Sequence, residues 1–368
     1  MMNVLFLRPQ PAIRSLKYAL GFRSMNAEIR LYHGYTSKTL TELYGYGDEY
    51  FEKLIKLDLK NLDEDIKEAV TKYNISLVHS QNAPDFLTVS AIIALNDVPI
   101  IHGNQDTISL RETPYYPGAD MEKQLVDEMV ANEDCDARIH VTEEMRTYIN
   151  EKYGSKRDVV FCNYVSDSMM PTSFKEKLSE KDRKVHIVYE GTLASLEGDH
   201  YDLQQIFKDI ASYGMHIHIY DSHTNKDYQK LAEGDGFIHY HGHLDPRNLF
   251  REMTQYDFGW SGFNVAKNKA HMDVALPNKT FEYLACGLPV LSFPNEAQKK
   301  FLLKHGVGLV FKDLEEMQEK LADNELAKRI HKNVLWKRSW FTVERNIHKI
   351  TELYYQTISS YRSLFHGS

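Results

Sequence analysis

Residues 275–294 read ALPNKTFEYLACGLPVLSFP. Helical spacing places Phe281, Leu284 and Ala285 on one face, at i, i+3 and i+4, a face suited to packing on a sheet. Pro277 and Asn278 are start signals, and Gly287 is a left-handed stop. The apolar run PVLSF follows and reads as a buried strand. The stretch is thus one helix–strand step of a parallel α/β sheet. It also carries one base, Lys279, and one acid, Glu282, a turn apart. A helix N-terminus exposes unpaired N–H groups and roughly half a positive charge. The first turn, Asn278, Lys279 and Thr280, therefore suits a diphosphate. Glu282 only accepts hydrogen bonds when ionised, which suits the vicinal hydroxyls of a ribose. The alternative is an i,i+3 surface ion pair worth about 0.3 kcal/mol. Spacing alone leaves both readings open.

The same strand–helix step recurs outward in both directions. NVLFL (3–7), AEIRLYH (27–33), ISLVHS (75–80), VPIIHG (98–103), ARIHVT (137–142) and DVVFC (158–162) read as strands. Helical stretches separate them, including 48–73, where Phe51, Leu54, Ile55, Leu62, Ile66 and Val70 stand at helical spacing. SDSMMPTSFKEKLSEKDRK (166–184) breaks the rhythm with charge and a proline. Alternation then restarts with VHIVYEG (185–191), MHIHIYD (215–221), FIHYHG (237–242), DFGWSG (257–262) and GLVF (308–311). The expected fold class is α/β: two doubly wound Rossmann-like halves. The first is expected over 1–165, with 166–179 as linker and 180–342 as the second half. A closing helix over 343–368, striped by Ile347, Ile350, Tyr354, Ile358 and Tyr361, is expected to return to the first half. Ligands of such sheets sit at the carboxyl ends of strands, so the cleft between the halves is the expected site.

Composition narrows the function. A net charge of −8 argues against nucleic acid as the main partner, because phosphate backbones want a basic face. No apolar run approaches the roughly 20 residues of a membrane span, and the N-terminus lacks the pattern of a signal peptide. Cys135, Cys162 and Cys286 form no CxxC pair, which fits free thiols in a reducing cytoplasm.

LPNKTFEYLACGLPVL resembles the donor-site motif of GT-B glycosyltransferases of glycosyltransferase family 4, in which the glutamate of the FEY run holds the nucleotide ribose. LVHSQNAPDFLTVSAIIALNDVPIIHGNQDTISLRE (77–112), CDARIHVTEEMRTYINEKYG, VYEGTL, YDFGW and HGVGLVF resemble further segments of that family. The likeness covers most of 70–312. It implies a GT-B fold and transfer of a hexosyl group, with retention, from a nucleoside-diphosphate sugar to a hydroxyl of a saccharide, lipid-linked or small-molecule acceptor. UDP is the first expectation for the donor, with GDP as the other. No bound metal is implied. Two departures stand out. Many members carry a second glutamate eight residues earlier, where this chain has Val274, and the basic residue after the donor-domain glycine turn is replaced within SLEGDH (195–200). A sugar-nucleotide epimerase on the same fold and a non-catalytic nucleotide-sugar or glycan-binding scaffold are the alternatives.

The likeness points to further site residues. Asp106, with His102, follows the strand VPII and is expected near the reacting hydroxyl; local loop bonds would explain them equally. Gly191 and Thr192 end the strand VYEG, where glycine lets backbone approach a phosphate. His243 ends FIHYHGH, in a loop expected beside the nucleobase. His79 and Asn82 stand past a strand end, with Asp85 a plausible helix cap. His216, His218, His239 and His241 alternate along two strands, but no carboxylate or cysteine stands at ligand spacing. Arg8, Arg14, Lys17 and Arg23 form an acid-free stretch. It reads as a solvated basic helix face, or as a contact for an acidic acceptor or an anionic membrane surface.

Overall fold

The structure is a computed structural model and describes residues 1–25 and 28–365. Ala27, at the start of the expected second strand, and residues 366–368 of the expected closing helix lie outside the described residues. The chain divides into two compact units, residues 1–162 with 343–368, and residues 163–342.

The first unit is built on seven strands: β1 (Met2–Leu7), β2 (Ile29–Tyr35), β3 (Lys53–Lys56), β4 (Leu77–Gln81), β5 (Ile100–Asn104), β6 (Ala137–His140) and β7 (Arg157–Val160). Their order is β3-β2-β1-β4-β5-β6-β7, and every pairing is parallel. β4 and β5 are buried along their whole length, as strands covered on both faces must be. The unbroken helical stripe expected over 48–73 is a correction. Lys53–Lys56 instead pairs with β2 as an edge strand, and the helix runs only over Leu62–Lys72. Leu54 and Ile55 are flanked by two exposed lysines, the pattern of a guarded sheet edge rather than of a helix face.

The second unit has six parallel strands: β8 (His186–Gly191), β9 (His216–Asp221), β10 (Ile238–Gly242), β11 (Phe258–Trp260), β12 (Val290–Ser292) and β13 (Gly308–Val310). Their order is β10-β9-β8-β11-β12-β13, the doubly wound order that reverses between β8 and β11. The helix read from residues 275–294 runs over Asn278–Ala285, starts after Pro277 and ends before Gly287 at φ +77°. Residues 166–179 are held within this unit. The backbone N–H of Lys175 and that of Leu178 donate to Thr254 Oγ1 (3.1 Å) and to the Gln255 carbonyl (3.0 Å), and Arg338 donates to the Pro171 carbonyl (2.9 Å).

The last helix, His348–Phe365, belongs to the first unit. Tyr354 is its anchor: the ring stacks on Phe22 at 5.6 Å, and its hydroxyl lies 2.6 Å from Nδ1 of His79. Burial pushes His79 down to about 3, so its ring is neutral. His79 thus ties the returning helix to β4 and does not reach toward solvent. Among the described residues no helix is long and apolar enough to cross a membrane.

Candidate functional site

The strand order of the second unit reverses between β8 and β11, and a ligand crevice is expected at their carboxyl ends. Tyr283 of the 278–285 helix fastens that point. Its hydroxyl accepts from the Glu190 N–H (3.0 Å) and donates to the Trp260 carbonyl (3.0 Å). The two strands are thereby pinned one residue before β8 ends and at the last residue of β11. The ring lies directly over Gly259, where a Cβ would stand 2.2 Å from it, so only glycine admits this crossing.

One turn earlier, Lys279 reaches the end of β8. Its ammonium stands 3.9 Å from the Tyr189 ring centroid, 5.5 Å from Tyr201 and 5.9 Å from Phe263, positions that stabilise a cation electrostatically. Gly191 lies beside it at the end of the strand. Its φ is +120°, and a Cβ would sit 3.3 Å from the Lys279 Nζ. A side chain at 191 would crowd the ammonium, and the positive φ favours glycine there as well. Lys279 is 7% exposed, and burial pushes it down to about 8, with Glu190 and Glu282 pulling the other way. Both carboxylates are themselves buried. The recess thus holds one buried cation among aromatic rings and two buried carboxylates, at the switch point of the sheet.

The remaining expected residues fall in different places. Asn278 is half-buried at the helix start beside Lys279. Thr192 is exposed just past β8, its hydroxyl 3.3 Å from Ser222, while the Ser222 N–H donates to the Gly191 carbonyl (3.2 Å). Thr280 corrects the expectation that the whole first turn faces a ligand. It is fully buried, its hydroxyl 3.2 Å from Ser261 and 3.3 Å from Gln298 Nε2, because successive helix residues point about 100° apart. His243 is exposed beyond β10, the edge strand two places from β8. Tyr189, Glu190, Tyr201 and Phe263 were not read from the sequence. Of these, only Glu190 left a trace, as a carboxylate inside an apolar strand just before a glycine.

In the first unit the order reverses between β1 and β4, and the loop after β5 gathers there. Asn82, fully buried, clamps it: Oδ1 accepts from the N–H groups of Gln105 (2.7 Å) and Asp106 (3.2 Å), and Nδ2 donates to the Asp106 carbonyl (2.8 Å). Arg8 donates to the Asn82 carbonyl (3.0 Å) and to Gln105. Arg14 is packed beside it, with Nε and Nη1 shielded from water and making no hydrogen bond; burial and the charge of Arg8 push it down to about 10. Lys17 is 2% exposed. The solvated basic face expected of this stretch is therefore wrong for Arg14 and Lys17, since the 13–24 helix turns them inward.

Asp106 is half-buried in the loop that Asn82 holds. His102 does not follow the strand: it lies within β5, fully buried, with Nδ1 2.9 Å from the Thr88 hydroxyl and Nε2 3.2 Å from Asp85. It can position its neighbours but cannot meet a substrate directly. Asp85 makes no side-chain cap to the helix it precedes; it faces His102 and Asn82 instead.

Residues 198–334, which include Lys279 and Glu282, match the family described as glucosyltransferase 3-like, C-terminal domain. Among solved structures, sucrose-phosphate synthase from Thermosynechococcus elongatus superposes with a TM-score of 0.70 at 13% identity, over 100% of both chains. Anabaena HepE, in complex with UDP-glucose, superposes at 0.70 with 16% identity, over 98% of this chain and 100% of that one. A glycosyltransferase from Rickettsia africae ESF-5 gives 0.69 at 14% identity, over 97% and 98%. The chain shares their fold, the GT-B class of two Rossmann-like α/β units.

Proposed function

We propose that the protein is a retaining glycosyltransferase that moves a hexosyl group from a nucleoside-diphosphate sugar, UDP first among the donors, to a hydroxyl of a saccharide, lipid-linked or small-molecule acceptor. The observation that carries this reading is Lys279: a buried ammonium beside a side-chain-free Gly191, at the switch point of a unit matched by a glucosyltransferase domain family. In this reading Lys279 and the N–H groups opening the 278–285 helix hold the diphosphate, and Glu282 holds the ribose. The donor's C1–O bond to the β-phosphate breaks, and a new bond forms from C1 to the acceptor oxygen. The acceptor proton passes to the released phosphate oxygen, so charge stabilisation of the leaving group is the protein's main task. Complexes of HepE with UDP-glucose and with UDP support the choice of base. Arg8, Gln105 and Asp106 belong to the acceptor side, with Asn82 and His102 fixing their loop. A cytoplasmic setting fits the three free thiols.

The test is a thermal-shift series with UDP-, GDP- and ADP-sugars, followed by NMR of the products. UDP-sugars are expected to raise Tm, and the product is expected to keep the donor's anomeric configuration. Absence of any shift would overturn the reading, and conversion of the sugar nucleotide without an acceptor would make the chain an epimerase.

A further inference from the structure

Five histidines share one face at the edge of the second sheet. His186 opens β8, His216 and His218 lie on β9, and His239 and His241 on β10. Parallel register puts His186 beside His216 and His218 beside His239. The sequence offered no carboxylate for them, but the fold brings one. Asp182 ends a short helix, and Arg183 turns the chain back at φ +62°. Asp182 Oδ1 accepts the Lys184 N–H (2.9 Å). Its Oδ2 stands 3.2 Å from Nε2 of His186 and 3.2 Å from Nε2 of His216. These three ligand atoms lie within 4.8 Å of one another, from residues on three separate segments.

We propose that Asp182, His186 and His216 form a binding site for a divalent transition-metal ion of the zinc type, with two imidazole nitrogens, one carboxylate oxygen and an open side. A separation near 3.2 Å between donor atoms is what bonds of about 2.0–2.1 Å impose around one ion. Mixed nitrogen and oxygen donors favour zinc-like ions over calcium or magnesium, which take oxygen. The outer shell is already built. His186 Nδ1 lies 2.9 Å from His218 Nε2, His218 Nδ1 lies 3.0 Å from His241 Nε2, and His216 Nδ1 lies 2.9 Å from His239 Nε2. Metal-bound histidines almost always donate their second N–H to such a partner. An imidazole that carries one proton donates through one ring nitrogen and accepts through the other, so each of these contacts fits either direction of the row. Without an ion, Nε2–H of His186 and of His216 would donate to Asp182. With one, the protons of the row sit on Nδ1 and the Nε2 lone pairs face the ion. The Asp182 side chain is 37% exposed, which gives the ion a path in.

The site is independent of the sugar-transfer reading: it lies at the amino ends of β8 and β9, the opposite edge from Lys279. Its role is to clip the 179–185 turn to the sheet. Calorimetry of the chelator-stripped full chain with Zn2+ is expected to show one ion per chain, weakened at least about tenfold in Asp182→Asn and in His216→Gln. Asn keeps an acceptor for the Lys184 N–H, so that variant tests ligation apart from the turn. In parallel, imidazole 15N spectra of the unmodified protein are expected to move His186 and His216 from Nε2–H to Nδ1–H on adding Zn2+. Unchanged affinity in both variants, no binding at roughly 0.1 mM Zn2+, or movement of other histidines instead would overturn the proposal.

Discussion

Replacing Lys279 with methionine separates ligand binding from folding, because the two effects differ in size. Methionine keeps the buried length of the chain and removes the charge. The fall of the lysine's pKa from 10.5 to about 8 corresponds to about 3 kcal/mol by which its surroundings disfavour the ammonium, burial outweighing the pull of Glu190 and Glu282. Methionine removes that net cost but leaves the two buried carboxylates without their cation, which costs stability in turn, so folding stability is expected to change by only about 1 kcal/mol either way. Binding is different. A charge-assisted contact to a phosphate is worth about 1.5–3 kcal/mol, so the Kd for UDP should weaken roughly 10- to 100-fold. Transfer should suffer more, since charge on the leaving group grows in the transition state; about 10²- to 10³-fold is expected in kcat/KM. The pH dependence fixes the assignment. Only protonated Lys279 binds the diphosphate, so UDP affinity of the unmodified protein should fall as pH rises through about 8. The methionine variant should be flat across that window, which lies above the phosphate's own titration near 6. Stability runs the other way: a depressed lysine pKa means the unfolded chain binds more protons between about 8 and 10.5, so this group's contribution to stability rises with pH there. Calorimetry from pH 7 to 9 reads the binding terms and thermal unfolding reads the last. A variant that binds UDP within about threefold of the parent at pH 7 would refute the phosphate role of Lys279.

Three further predictions test other parts of the site. Glu282→Ala should weaken UDP about tenfold and should barely change the affinity for a 2′,3′-dideoxy analogue; equal losses for both ligands in calorimetry would remove the ribose contact. Tyr283→Phe leaves the Glu190 N–H and the Trp260 carbonyl without the hydroxyl that joins them, so unfolding in urea should show a loss of about 1–3 kcal/mol. Asn82→Ala frees the loop carrying Gln105 and Asp106; steady-state kinetics should show a raised acceptor KM, with UDP affinity measured by calorimetry unchanged.

The sequence by itself determined the periodicity of this protein. Alternating apolar runs and helical stripes were enough for two parallel sheets, and Pro277, Asn278 and Gly287 marked the ends of the helix that carries Lys279 and Glu282. These are local signals: turn chemistry and the spacing of apolar residues act over a few positions. What tertiary structure decided lies between segments far apart in the chain. Lys53–Lys56 became a strand because β2 offered it an edge, against a helical stripe that its own residues suggested. Arg14 and Lys17 turned inward because their helix packs where a polarity count placed solvent. Only the fold set Tyr189, Tyr201 and Phe263 around an ammonium that lies 78 to 90 positions along the chain from the first two. It likewise set Asp182 against His216, which spacing had left without a carboxylate. Contacts of that kind depend on strand order and register, and a one-dimensional pattern does not carry either.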